Sequence, residues 1–443
     1  MNKVTLENFR CFHERQEARL APLTLLVGEN STGKTSFLAL IRALWDVAFP
    51  EIAPDFKEEP YDLGSHDEIA HHRGGRGGRE ERFVVGLGTQ STSGIVQHEV
   101  TFEKKGTVPV PVKRTVKQND AWLEHRFADN SLRFCLGALQ DEWVWKSHFG
   151  TYQPALNPRE RLLEFPYLLW QVTRDVSGKT MGNLRNRKFP SKNLTKEDKE
   201  RLEKFSRLLQ VSSIMPRPFA SAPVRSKPSR TYDPARSTPD PEGVYIPMHL
   251  AEMHFQGGQE WSDLKNALEE FGKRLGLFDE ITVKRSAQIP SFQLQVKKYG
   301  DKAKGPWRNL IDVGYGVSQV LPIITELLRP DGPRAFLMQQ PEVHLHPSAQ
   351  AALGSLFCNF AGAGRHQFVV ETHSDHLLER VRLDIRDGAS NLKPEDVSIL
   401  YFERKDIEVE IHSLGLDKEG NVLNAPPSYG RFFMEETKRS LKL

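Results

Sequence analysis

Two short stretches carry residue types that handle phosphate and water. Gly28-Glu29-Asn30-Ser31-Thr32-Gly33-Lys34-Thr35 fits the pattern GxxxxGK[ST] and runs on into Ser36. Glycines let main-chain N–H groups turn inward around an anion, and a helix starting there adds the positive end of its dipole. In that pattern the lysine reaches the β- and γ-phosphates and the hydroxyl after it takes a place on Mg²⁺. Asn30, Ser31, Thr32, Gly33, Lys34, Thr35 and Ser36 are therefore candidate nucleotide contacts, with Thr35 also a candidate metal ligand. The second stretch, residues 336–347, reads FLMQQPEVHLHP. It looks like an apolar strand ending at a reactive edge. A nucleotide-hydrolysing enzyme is expected to carry acids where this chain has Gln339 and Gln340.

The flanking sequence supplies elements to position both. LTLLVGEN is almost wholly apolar before its glycine, as suits a strand buried on both faces. Phe37, Leu40, Ile41 and Leu44 then fall at helical spacing, giving strand, loop and helix. Short alternating runs between about 82 and 147 predict an antiparallel β lobe. LTKEDKERLEKFSRLLQ predicts a helical insertion, with Thr195 and Asp198 as a capping box. Residues 214–243 are dense in Pro, Ser and Arg and read as an irregular linker outside the core. WSDLKNALEEFGKRLGL reads as a helix and ITVKRS with SFQLQVKKYG as a hairpin. From VSQVLPIITELL onward, helices and strands alternate, which implies a mainly parallel sheet with covered faces. The expected divisions are an N-terminal lobe over 1–150, an insertion and Pro/Arg-rich loop over 151–245, and a C-terminal lobe over 246–443.

The chain has 443 residues, 38% hydrophobic and 27% charged, with a formal charge of +3. Near balance, composition alone gives no argument for nucleic acid. Three distant cysteines without metal-ligand spacing imply a reducing compartment. With no bilayer-length apolar run and no signal-peptide core at MNKVTLENFR, the expectation is a cytoplasmic protein without membrane contact. Arg225, Lys227, Arg230 and Arg236, with Tyr232 among them, form a basic loop that suits nucleic acid or an acidic partner, or else a solvated linker.

Taken together, four stretches resemble the ABC-type ATPases of the RecF, structural-maintenance-of-chromosomes and OLD group. More narrowly, the chain resembles bacterial AAA-type ATPases associated with phage defence. The stretches are VTLENFRCF, GENSTGKTS, DVGYGVSQVLPII, and QQPEVHLHPSAQ with ETHSDHLL. The resemblance implies an α/β P-loop NTPase of ABC type that binds ATP and Mg²⁺ and completes its site as a homodimer or higher homo-oligomer. One copy's signature segment, with Gly314, Gly316 and Ser318, would cap the nucleotide held by another. The family pattern has a serine where Gly314 falls, which leaves that hydroxyl contact to Ser318. Arg10 in NFRCF becomes a nucleotide-side contact by analogy, and His373 matches the histidine that meets the γ-phosphate.

Aligned with the group, Gln339 stands where a carboxylate holds Mg²⁺ through water, and Gln340 where a carboxylate activates the attacking water. An amide oxygen can still accept from a metal-bound water, but it takes no proton near neutral pH. Three explanations stand: Glu342 serves as base or metal-side carboxylate, the site is a slow nucleotide-gated switch, or a glutamine is an engineered replacement. The first combined with the second is favoured. OLD-type nucleases carry a metal-binding domain after this histidine, whereas 70 residues follow His373 here and contain no D-x-D. The expectation is a slow ATPase without its own nuclease, acting as sensor and scaffold for a separate nuclease-like effector, as in PARIS or Septu systems. The alternative is a RecF-like ATPase that binds DNA in repair or recombination.

Overall fold

The computed structural model describes residues 1–48, 56–75, 77–91, 94–119, 121–127, 131–136, 143–146, 196, 217–233, 239–285, 291–300, 302–329 and 334–430. The chain divides into two compact units, neither continuous in sequence. The first comprises Met1–Leu20, Glu29–Arg217 and Phe402–His412; the second comprises Ala21–Gly28, Pro218–Tyr401 and Ser413–Leu443. The predicted helical insertion lies outside the described residues, apart from Lys196.

In the first unit, β1 (Lys3–Glu7) and β2 (Gln16–Arg19) pair antiparallel at one edge of an eight-stranded sheet. The next strand of the chain, β3 (Leu23–Gly28), belongs to the second unit. The sheet continues from β1 through β4 (Arg82–Ser91), β5 (Gly94–Lys105), β6 (Val108–Gln118), β7 (Ala121–Arg126), β8 (Ser131–Leu136) and β9 (Trp143–Lys146). Every pairing among the described strands of this sheet is antiparallel, as the alternating runs predict. Phe83, Val85 and Leu87 of β4 and Val96, Val100 and Phe102 of β5 are buried at period two. Helix α1 (Lys34–Ala48) packs against β4 and β5 and buries Phe37, Leu40, Ile41 and Leu44. Each such side chain contributes about 1.5–3 kcal/mol relative to exposure. A short helix, α2 (His66–Ile69), follows.

The second unit is built on a seven-stranded sheet. The strands of this sheet, besides β3, are β10 (Phe219–Ser221), β14 (Arg334–Gln339), β15 (His366–Glu371), β16 (Val397–Lys405), β17 (Glu408–Leu416) and β18 (Val422–Leu423), of which the end of β16 from Phe402 and the start of β17 to His412 are counted in the first unit. The order is β10-β14-β15-β3-β16-β17-β18, and β10, β14, β15 and β3 run parallel. All six residues of β3 are buried, as an apolar strand covered on both faces requires. A smaller antiparallel sheet joins β11 (Glu280–Arg285), β12 (Phe292–Lys297) and β13 (Arg308–Asn309), which includes the predicted hairpin. The helices are α3 (Ile246–Gln256), α4 (Gly258–Arg274), α5 (Tyr315–Leu328), α6 (Pro347–Gly362) and α7 (Asp375–Arg386). Trp261, Leu264 and Leu268 form the buried stripe of α4. Among the described residues, no helix is long and apolar enough to cross a membrane.

One sequence expectation is corrected. Residues 214–243 do not lie wholly outside the core: Phe219–Ser221 form the edge strand β10, and Arg225 is 1% exposed. A three-residue strand is too short to show a period, and the surrounding Pro and Arg suggest solvent.

Candidate functional site

The phosphate-loop pattern follows β3 directly, and α1 begins at Lys34. Gly33 has φ +84°, and a Cβ placed there would lie 2.6 Å from the Cys11 sulfur and 3.0 Å from the Phe12 ring. Glycine is thus required twice over, by conformation and by space. Ser31 also has positive φ, at 61°. Asn30 and Ser31 are exposed at the crown, Thr35 is half-buried, and Thr32 is fully buried with its hydroxyl donating to the Glu29 carbonyl at 2.8 Å. The Lys34 ammonium bends back over the loop and donates to the same carbonyl at 2.5 Å. Arg10, at φ +48°, donates to the Ser36 hydroxyl at 2.8 Å and the Leu63 carbonyl at 3.1 Å, so its guanidinium braces the start of α1. Arg404 donates to the Ser31 carbonyl.

In the second unit, β14 ends at Gln339 and the chain turns sharply. Gln340 has φ +44°, its N–H donates to the Glu371 carbonyl at 2.8 Å, and His344 has φ +68°. Non-glycine residues in this region are strained, and such positions cluster at functional sites. The turn delivers Glu342, 5% exposed, against the end of β15. Its Oε1 accepts from the Thr372 hydroxyl at 2.7 Å and from the His373 N–H at 2.9 Å; its Oε2 is buried without a hydrogen-bond partner. Burial pushes this carboxyl above the ordinary glutamate range, while the Thr372 and His373 hydrogen bonds and the Arg225 charge pull it back. One oxygen is fixed and the other is poorly solvated, as suits a group that takes a proton. His373 itself is exposed at the end of β15, its main chain tied to Glu342.

Arg225 joins this turn to α5. Its guanidinium donates to the Gln319 carbonyl at 3.2 Å and the Gln340 carbonyl at 3.4 Å, and its main-chain N–H donates to the Gln319 side-chain oxygen at 3.3 Å. The Gln319 amide returns a bond to the Arg225 carbonyl at 3.4 Å. Pro322 lies inside α5 and cannot donate to the Ser318 carbonyl, so the helix has a weak point beside this guanidinium.

At the start of α5, Gly314 is the N-cap, Gly314 and Tyr315 are exposed, and a Cβ on Gly314 would meet nothing within 4 Å. A Cβ on Gly316 would lie 3.0 Å from the His344 carbonyl. Ser318 is buried and donates to the Tyr315 carbonyl at 2.9 Å, so its hydroxyl is engaged within α5.

Part of the basic loop is engaged within the protein. Arg225 is buried, Arg230 pairs with Asp312 at 2.6 Å, and Tyr232 stacks on Phe292, while Arg236 lies outside the described residues. Sequence reasoning passed over Arg225 and missed Thr372, whose hydroxyl holds Glu342. The available signal was polarity ending an apolar strand, since QFVVETH places an acid and a hydroxyl where burial is expected. Mg²⁺ prefers hard oxygen donors, and the hydroxyl of Thr35 in the first unit and the amide oxygen of Gln339 in the second are each of that kind.

Two families match by sequence. One, described as AAA ATPase domain, matches residues 1–136, and the other, described as AAA domain, putative AbiEii toxin, Type IV TA system, matches residues 226–379. The two matches lie on either side of residues 137–225. No curated protein matches. Among solved structures, the chain is similar to an SMC head bound to the C-terminal winged-helix domain of ScpA, at 10% identity and a TM-score of 0.41, covering 94% of this chain and 98% of that one. The Thermotoga maritima SMC head domain gives 11% identity and a TM-score of 0.40, covering 93% and 98%. An SMC head with an extended coiled coil, bound to the C-terminal domain of ScpA derived from Pyrococcus furiosus, gives 11% and 0.38, covering 99% of each chain.

Proposed function

We propose that this chain is a slow ATPase that pairs with a second copy around ATP and, in that state, controls a separate effector in anti-phage defence. The observation that carries the hydrolytic part is Glu342: a buried carboxylate with one oxygen held by Thr372 and the His373 N–H and the other without a partner. Gln340 takes no proton near neutral pH, so Glu342 removes the proton from the attacking water. The phosphate loop holds the triphosphate by its N–H groups, by Lys34 and by the dipole of α1. Thr35 and Gln339 would each offer Mg²⁺ an oxygen ligand, and the ion would neutralise phosphate charge. Gly314 and Gly316 of the second copy present the N-terminus of α5 to the γ-phosphate, and His373 donates to it. With no acid at 339 or 340, positioning rather than strong acid–base chemistry sets the rate.

Steady-state phosphate release, and molecular mass in solution with and without ATP, test this reading. The parent is expected to turn over slowly and to double its mass with ATP. Lys34→Ala should do neither, and Glu342→Ala should pair without turning over. Undiminished turnover in Glu342→Ala would remove the proposed base. A monomer at saturating ATP would remove the pairing, and turnover stimulated by DNA with a steep salt slope would favour the repair reading instead.

A further inference from the structure

The second unit holds a cavity for which the ATPase reading has no use. It measures about 300 Å³ and lies where α4, α6 and α7 meet. Its apolar lining is Phe271 and Leu275 at the end of α4 with Ala352 and Leu356 of α6. Leu275 and Leu356 are buried, and Phe271 and Ala352 are half-buried. The polar lining holds no carboxylate; it includes Arg274 of α4, Ser355 and Asn359 of α6, and Arg380 of α7. A close helix approach places Arg380. A Cβ on Gly354 would lie 3.0 Å from the Leu377 carbonyl and 3.4 Å from the Arg380 Cβ, so this glycine seats α7 against α6. The guanidinium charges are unevenly answered. Arg274 pairs with Glu270, and on α7 Arg382 pairs with Glu379 and Arg386 with Asp387. Among the described residues, the exposed Arg380 guanidinium makes no hydrogen bond or ion pair and acts on Asp387 only at longer range.

We propose that this cavity binds a small carboxylate with a compact apolar body. The apolar body covers the Phe271, Leu275, Ala352 and Leu356 surface and removes it from water. The carboxylate pairs with Arg380, whose planar fork matches two oxygens at once. With Arg274 already answered by Glu270, one positive charge of the lining is left, which matches a monoanion rather than a phosphate dianion. The volume stands at the lower end of ligand sites, as suits a single ring or a branched chain rather than a nucleotide. A concave site of this size favours a free small molecule over a protein partner, which needs roughly 800 Å² of surface. No step of ATP chemistry enters this inference, so it stands or falls apart from the ATPase reading.

The test uses the full chain and para-trifluoromethylbenzoate as the probe, with binding followed by fluorine nuclear magnetic resonance. Saturable binding with a dissociation constant of about 1 mM or tighter is expected for a ligand of this size. The neutral para-trifluoromethylbenzyl alcohol should bind about tenfold more weakly or worse, the scale of a charge-assisted hydrogen bond. Arg380→Gln should weaken the benzoate by a similar factor, and Arg380→Lys, which keeps the charge, should recover part of the loss. Because Arg380 is exposed, these variants should melt as the parent does. Ala352→Phe, which fills the cavity from α6, should abolish uptake of the benzoate. No saturation of the parent overturns the proposal, as does equal affinity for benzoate and alcohol. Unchanged benzoate binding in Arg380→Gln or in Ala352→Phe places the probe elsewhere and overturns it too. Tighter binding of para-trifluoromethylphenyl phosphate than of the benzoate overturns the match to a single charge.

Discussion

The Arg225 guanidinium donates to the main-chain carbonyl of Gln340 at 3.4 Å, across 115 positions of sequence. The same group donates to the Gln319 carbonyl in α5, so one buried side chain ties that helix to the strained turn that delivers Glu342. A planar fork can serve two carbonyls at once, whereas an ammonium on a flexible stem cannot fix both directions.

Arg225→Met should therefore lower the rate of phosphate release by roughly ten- to hundredfold through misplacement of Glu342. Nucleotide affinity should hold, because the phosphate loop is untouched. Arg225→Lys should recover part of the rate. Turnover and equilibrium nucleotide binding measured on the same preparations check this split. Equal losses in both would mean that Arg225 only stabilises the fold.

Glu342→Gln should lower phosphate release by about a hundredfold or more, the usual scale for loss of a general base. The same variant should melt higher near neutral pH. Burial raises this carboxyl's pKa above that of an unfolded glutamate, so the folded protein holds the proton more tightly than the unfolded chain. Stability is then lost as pH rises from the ordinary carboxylate range through the raised pKa. Removing the titration removes that loss, so the melting curves of parent and Glu342→Gln should converge in acid and separate toward neutrality. Activity of the parent should fall on acidification through the same raised pKa. Convergence at neutral pH instead would deny that Glu342 is a destabilised carboxylate.

Gly33→Ala should abolish nucleotide binding and lower the melting temperature. Its added methyl meets the Cys11 sulfur and Phe12 ring, and its positive φ disfavours any side chain. Gly33→Ala combined with Cys11→Ala relieves the closest contact but not the φ penalty, so recovery should be partial. Full recovery in calorimetry would assign the whole effect to crowding.

The phosphate loop was legible in the sequence because each of its requirements is local: an apolar strand, glycines at fixed spacing, then a helical stripe. The alternating strands from β4 to β9 were legible for the same reason. Arg225 was not. It lies in a Pro- and Arg-rich stretch whose composition suggests solvent, and only tertiary pairing of β10 with β14 carries it inward. Helix α3 carries a Pro at its first turn, yet it was absent from the sequence reading. Tyr245, Ile246, Leu250 and Ala251 of this segment are buried, so packing rather than any local signal defines it.

Gly314 allows fold and assembly to be pulled apart. It is the N-cap of α5 with φ −57° and ψ 148°, it is exposed, and its absent side chain would point into open space. Asp is a better N-cap than Gly by a few tenths of a kcal/mol, and its charge favours the helix N-terminus. Gly314→Asp should therefore leave the melting temperature of the isolated chain unchanged or slightly raised. In the pairing reading, however, this N-terminus must receive a γ-phosphate from another copy, and a carboxylate there repels it. ATP-dependent self-association of Gly314→Asp should fall by at least about tenfold, as a like charge facing the anion costs on the order of 1.4 kcal/mol or more. Gly314→Ser, which adds a hydroxyl donor in the same open space, should keep or strengthen it. Equal self-association of parent, Asp and Ser variants in analytical ultracentrifugation would show that α5 does not meet nucleotide.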